Sequence, residues 1–189
     1  MKPGKIIKRA VINDQEFVFR LPKKDDLEDL CRYINTLSQE RTFIRFQGEE
    51  VTLEQEADYL DDLLEKIKKN RVLAVLVLNQ GEIIGSSDIK LQEKTDSHVG
   101  LFGIVIKKEY RNQGLGTYLT ALTIKHAQQF LPELEIIKLS VYANNERAIH
   151  LYQKFEFEQY GLLPNGIKLE TGYQDRMFMY RRVRDKQGE

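Results

Sequence analysis

The stretch with the clearest chemistry is Arg111-Asn112-Gln113-Gly114-Leu115-Gly116, a cation followed by two glycines in the spacing R-x-x-G-x-G. Before it lies Leu101–Ile106, apolar apart from Gly103, which reads as a buried strand. After it, Leu115, Leu119 and Leu122, flanked by Tyr118 and Ala121, recur at helical spacing. The glycines remove side chains where that helix begins. Gln113, Gly114, Leu115, Gly116 and Thr117 should therefore present backbone N–H groups outward at the positive end of the helix dipole. The result is a seat for an anion, with Arg111 beside it. Any helix start after a turn offers some of these amides; the preceding strand, the paired glycines and the cation together favour a phosphate. A dinucleotide fold is the rival, but its G-x-G-x-x-G turn follows the first strand of a parallel sheet. Here the loop comes after several antiparallel-looking strands and lacks the full spacing.

A second block stands downstream: Leu139-Ser140-Val141-Tyr142-Ala143-Asn144-Asn145-Glu146-Arg147-Ala148-Ile149-His150-Leu151-Tyr152. The loop Arg111–Gly116 resembles the acyl-CoA pyrophosphate loop of the GNAT superfamily of N-acetyltransferases. Asn145, Ala148 and Tyr152 fall on that family's N-x-x-A-x-x-x-Y pattern in the strand and helix that follow. With the strand order on either side, the resemblance covers Glu16 to Val183. It implies acetyl-CoA as the acyl donor. Gln113–Thr117 would bind the pyrophosphate through amides, with Arg111 and Asn112 in the same loop; Ile104, Val105 and Ile106 would line the pantetheine arm along a strand that splays from its parallel neighbour. Asn145 would touch the cofactor while capping its helix, and Tyr152 would donate a proton to the leaving thiolate. The bland alternatives are a helix cap for Asn145 and a core or rim tyrosine for Tyr152, one of nine in the chain. The segment Gly172-Tyr173-Gln174-Asp175-Arg176-Met177 resembles the branch of ribosomal-protein and amino-acid acetyltransferases.

The chain departs from the family at one point. The ending Tyr152-Gln153-Lys154-Phe155-Glu156-Phe157 has Glu156 where Y-x-x-x-G-F would have glycine, which implies a different corner there or some strain. A general base is also needed, because an attacking alkylamine has a pKa of about 10 and must be neutral. His98, at the start of the Gly-loop strand, is the catalytic candidate, with Asp88, Glu82 and Ser140 as further candidates. His126 and His150 read as structural or solvent-facing. Three scattered histidines and one cysteine give no metal-ligand spacing, so no metal is expected. Cys31 falls on an apolar helix face and reads as packing rather than as a ping-pong nucleophile.

The elements that must position these residues are legible in order. Lys5–Ile12 and Glu16–Leu21 predict a hairpin around Asn13-Asp14-Gln15. Leu27, Leu30, Cys31, Ile34 and Leu37 predict a first helix capped by Asp25 or Asp26, and Ser38–Val51 a loop that in the family covers the acceptor site. Thr52-Leu53-Glu54-Gln55 has capping-box form and opens a helix to about Asn70, with Tyr59, Leu60, Leu63, Leu64 and Ile67 as its buried stripe. Arg71–Leu78 and Glu82–Leu91 predict a second hairpin around Asn79-Gln80-Gly81, with a bulge at Gly85-Ser86-Ser87. His98–Ile106, the Gly-loop helix ended by Leu131-Pro132, and Ile136–Tyr142 make one right-handed crossover with parallel strands. A short helix to Lys154 and two strands, Phe155–Tyr160 and Asp175–Arg182, separated by a loop Gly161–Gln174, complete the chain.

The fold class is therefore mixed α/β with a GNAT-like, strongly twisted central sheet, one splayed parallel pair and helices on both faces. One domain is expected over residues 1–189, with Arg184–Glu189 a frayed tail. Lysine plus arginine equal aspartate plus glutamate at 29 each, so no overall field draws the chain to nucleic acid or to an anionic membrane. The N-terminus lacks the apolar core of a signal peptide, no run reaches bilayer length, and a single cysteine suits a reducing cytoplasm. The expected activity is acetyl transfer from acetyl-CoA to a primary amine, on a small molecule, a protein N-terminus or a lysine, by direct attack in a ternary complex. A catalytically silent acyl-CoA sensor is the competing class. Family habit allows a homodimer.

Overall fold

The structure is a computed structural model and describes residues 1–183. The tail expected at Arg184–Glu189 lies outside the described residues. The elements are β1 (Ile6–Ile12), β2 (Gln15–Arg20), α1 (Leu27–Gln39), α2 (Leu53–Lys68), β3 (Val72–Asn79), β4 (Glu82–Leu91), β5 (Val99–Ile106), α3 (Leu115–Phe130), β6 (Ile136–Tyr142), α4 (Glu146–Lys154), β7 (Glu158–Leu169) and β8 (Gly172–Arg182). The strands are hydrogen-bonded in the order β1-β2-β3-β4-β5-β6-β8-β7. The mixed α/β class is as expected. Among the described residues no helix is long and apolar enough to cross a membrane.

The chain divides into two compact units, Met1–Lys90 with Gly103–Pro132, and Leu91–Phe102 with Glu133 onward. In the first, β1 to β4 are antiparallel neighbours. Asn13 and Asp14 both take positive φ in the β1–β2 turn, the left-handed geometry that two-residue hairpins favour. Val72 to Val77 of β3 are all buried, so both faces of that strand are covered, and α2 and α3 both pack on it. Asp26 does not cap α1 with its side chain. Its carboxylate instead accepts from both guanidinium nitrogens of Arg20 at 2.6 Å and from the Lys23 amide at 2.8 Å, which ties the end of β2 to the helix start. The capping box at α2 is present, with the Gln55 amide donating to Thr52 Oγ1 at 3.2 Å and the Thr52 amide to Gln55 Oε1 at 2.9 Å. The β3–β4 register shifts between Val77 and Leu78, which places the bulge at Ile84, just before the predicted Gly85-Ser86-Ser87.

In the second unit, β5 runs parallel to β6 over Val99–Leu101 against Ile136–Lys138. That ladder then ends, although both strands continue. β6 pairs antiparallel with β8 along its whole length, and β8 with β7. The segment expected to be a loop, Gly161–Gln174, is mostly strand: β7 and β8 form a long hairpin with a tight end near Gly172 (φ +126) and register shifts at Gln159/Gly161 and Leu163/Ile167. Polar and small residues hid it, because β7 buries little besides Ile167 and lacks strict alternation.

Candidate functional site

In the first unit the site is built at the end of β5. Backbone N–H and C=O groups alternate sides along a strand. The Lys107 amide donates to Ile84 O on β4 at 2.9 Å, and Ser87 Oγ donates to Gly103 O at 2.9 Å, so the odd-numbered residues face β4. Ile104 and Ile106 therefore turn their backbones to the other edge, where the ladder to β6 has already ended at Leu101. Tyr33 of α1 donates its hydroxyl to Val105 O at 2.9 Å and lies 3.3 Å from Ser86 Oγ; burial pushes its phenol far above the ordinary range.

Past β5 the chain turns through Lys107–Arg111 into the glycine loop. Asn112 (φ +63) and Gly114 (φ +81) both take left-handed backbone, and a Cβ built at Gly114 would meet nothing within 4 Å. α3 starts at Leu115 with Gly114 as a cap that offers no side-chain acceptor, and its first helical bond is Tyr118 N–H to Gly114 O at 3.0 Å. The amides of Leu115, Gly116 and Thr117 are thus presented without a capping side chain, at the positive end of a sixteen-residue helix. The loop is pinned by Asn13 Nδ2 donating to Gln113 O at 3.0 Å and Gln113 Nε2 to Glu109 O at 2.8 Å. Arg111 serves as a strut. Its Nε donates to Ile106 O at 2.7 Å, its Nη2 pairs with Glu40, and Glu40 also accepts from the Lys108 amide at 3.1 Å. No sequence signal singles out Glu40 as that partner.

Among the described residues, burial raises two carboxyls above their ordinary values. Asp88 of β4 lies against Gly103: a Cβ there would sit 3.0 Å from Asp88 Oδ1. Burial raises its carboxyl to about 6, with Lys90 pulling the other way. Glu56 of α2 is only 6% exposed, and desolvation raises it to about 7. The predicted stripe placed Tyr59 in the core, yet Tyr59 is 53% exposed and Glu56 is the buried residue. The signal was present, since Glu56 is one turn before Leu60 and two before Leu63 on the same face. Glu82, another candidate base, is paired with the buried Lys107.

In the second unit Tyr152 is buried in α4, its ring edge-on to Phe102 of β5 (6.0 Å, 87°) and tilted against Phe157 (5.9 Å). Burial raises its phenol to about 12, so it holds its proton at neutral pH. Asn145 caps α4, its side chain accepting from the Ala148 amide at 3.2 Å. His98 lies in the turn before β5, at the opposite end of the strand from Ile104–Ile106, and its carbonyl accepts from the Glu135 and Ile136 amides. Ser140 Oγ accepts from Arg176 at 3.3 Å.

The chain is similar to known proteins in sequence and fold. Residues 33–157 match the family described as Acetyltransferase (GNAT) family. Over 103 residues the chain is 30% identical to the L-amino acid N-acetyltransferase AaaT of Escherichia coli (strain K12), covering 51% of this chain and 63% of that protein. Over 96 residues it is 32% identical to a probable spermine N(1)-acetyltransferase of Bacillus subtilis subsp. natto (strain BEST195), covering 48% of this chain and 62% of that protein. The chain thus spans less than two thirds of either relative. A GNAT-family acetyltransferase structure from Streptococcus pneumoniae is similar at 28% identity and a TM-score of 0.81, over 88% of this chain and 99% of that one.

Proposed function

Because the chain belongs to the acetyltransferase (GNAT) family, we propose that it transfers an acetyl group from acetyl-CoA to a primary amine by direct attack. The observation that carries this reading is the Asp88 carboxylate set against Gly103, on the same strand whose end leads into the uncapped amides of α3. The residues fit the donor. Gln113–Thr117 supply backbone amides to a pyrophosphate, and Gly114 leaves its approach open. Asn112 gives the loop its left-handed bend, and Arg111 braces the loop while bound to Glu40. Ile104, Val105 and Ile106 supply the strand edge for the pantetheine arm, and Asn145 holds the start of α4.

Acetyl-CoA supplies an acyl carbon activated by its thioester. Asp88 takes a proton from the acceptor ammonium, leaving the nitrogen free to form its bond to that carbon. The Ile104 N–H, on the edge facing away from β4, steadies the developing oxyanion. As the carbon–sulfur bond breaks, Tyr152 gives its proton to the departing thiolate; the surplus proton that the nitrogen carries after attack leaves through water and restores the Tyr152 phenol, and the proton on Asp88 passes to solvent. The base role goes to Asp88 rather than His98 because Asp88 touches the strand at Gly103, whereas His98 stands at the other end of β5. The Cys31 thiol donates to Val51 O at 3.4 Å and needs no part in the reaction.

Saturating acetyl-CoA should raise the melting temperature where NAD and ATP do not, with a gain of about 2.7 kcal/mol at a hundredfold excess over Kd. Tyr152→Phe and Asp88→Asn should keep that shift and each lose about 10²-fold in turnover. No shift at millimolar acetyl-CoA removes the donor site. A shift with no thiol release for any amine supports the silent sensor instead.

A further inference from the structure

Gly85-Ser86-Ser87 of β4 and Tyr33 of α1 lie behind the strand that leads into the glycine loop, and the proposed chemistry gives them no part. Ser87 is buried, and its hydroxyl donates to Gly103 O at 2.9 Å. Two residues further along β5, the buried Tyr33 donates to Val105 O at 2.9 Å, with Ser86 Oγ 3.3 Å from the same hydroxyl. Gly85 leaves space for that second contact, since a Cβ there would stand 3.4 Å from Val105 O and 3.3 Å from Ile106 Cγ1. Alternate carbonyls of one strand are thus held by hydroxyls from two different elements. Burial keeps the Tyr33 phenol protonated, so it remains a donor at neutral pH.

In a trans peptide the C=O and the next residue's N–H point in opposite directions. The peptides here are trans, so holding Gly103 O sets the direction of the Ile104 N–H, and holding Val105 O sets that of the Ile106 N–H. Both amides then face away from β4. We propose that Ser87 and Tyr33 are positioning residues for the acyl donor, Ser87 aiming the Ile104 N–H at the thioester oxygen and Tyr33 aiming the Ile106 N–H at the pantetheine arm. This rests on the acetyl-transfer reading. Each hydroxyl acts through a peptide plane and touches no reacting atom. Their effects divide by where charge develops. The thioester oxygen gains negative charge only during attack, so the Ile104 amide counts chiefly in the transition state, whereas a contact to the pantetheine arm is the same before and after it.

The test compares Ser87→Ala and Tyr33→Phe with the parent protein, using acetyl-CoA isotope-labelled at its thioester carbonyl. Infrared spectra should show that carbonyl's stretch lowered on binding to the parent, returned towards the free value in Ser87→Ala, and still lowered in Tyr33→Phe. Titration with CoA, which lacks the acyl group, should give an unchanged Kd in Ser87→Ala and one about tenfold weaker in Tyr33→Phe, the worth of one hydrogen bond. With an amine that the parent acetylates, Ser87→Ala should lose about tenfold or more in kcat at an unchanged KM for acetyl-CoA, and Tyr33→Phe should raise that KM at an unchanged kcat. Ser87→Cys, close in shape with a weaker donor, replaces Ser87→Ala if the latter does not fold, and should shift the stretch the same way. Equal changes in both variants, or a lower melting temperature with stretch and Kd at parent values, make the hydroxyls packing groups and overturn the proposal. Binding to the parent without a lowered stretch overturns it too and leaves the donor site standing. If the parent binds no acetyl-CoA, the donor reading falls and the positioning roles fall with it; if it binds but no amine releases thiol, the stretch and the CoA titration alone decide the roles.

Discussion

At the scale of single residues, the two raised carboxyls make opposite demands on pH. Asp88 must be ionised to accept a proton, so kcat/KM should fall as pH drops through about 6, and Asp88→Asn should flatten that limb. Glu56 acts on stability. Its carboxyl is raised to about 7 in the folded chain, so the folded state binds the proton more tightly than the unfolded one. Its contribution is therefore intact below the unfolded value near 4.5 and is lost as pH rises through about 7. Glu56→Gln should gain on the order of 2 kcal/mol at pH 8 and almost nothing at pH 4, read from denaturant midpoints at the two pH values. Neither effect follows from residue type. Asp88 was one of four candidate bases on the strand pattern, and only its contact with Gly103 sets it apart from Glu82, which is spent on Lys107.

At the scale of elements, local rules explain most boundaries, and their exceptions are informative. Thr52→Ala should cost about 1 kcal/mol by removing the α2 cap, visible as a lower melting temperature with unchanged donor binding. The corner after α4 keeps the left-handed backbone that glycine usually supplies: Glu156 sits at φ +60, with its amide bonded to Gln153 O and its carboxylate 3.2 Å from Arg181. The departure from Y-x-x-x-G-F thus leaves the corner in place at the expense of strain. Since the Glu156 side chain is exposed and its ion pair weak, Glu156→Gly should stabilise the protein by about 0.5–1 kcal/mol in thermal unfolding. The long β7–β8 hairpin escaped the sequence reading for a related reason, since its half-exposed residues carry too little alternation to mark a strand.

At the scale of the whole molecule, the family match ends at Phe157, short of β7 and β8. Seven consecutive β6–β8 pairs and the buried Met179 show that the remainder is structural rather than appended. A fragment of residues 33–157 should therefore fail to fold, showing no cooperative melt and aggregating through the uncovered edge of β6. The order of elements, the glycine turn, the caps of α2 and α4 and the acyl-CoA resemblance were readable in the amino-acid sequence, because each depends on residues close together along the chain. What only the tertiary structure decided lies between distant segments. It bound Arg111 to Glu40, laid Asp88 against Gly103, ended the β5–β6 ladder at Leu101 and turned Glu56 inward on α2. Those facts depend on which surfaces meet after folding, and burial and charge pairing between surfaces far apart in the chain leave no periodic signal in it.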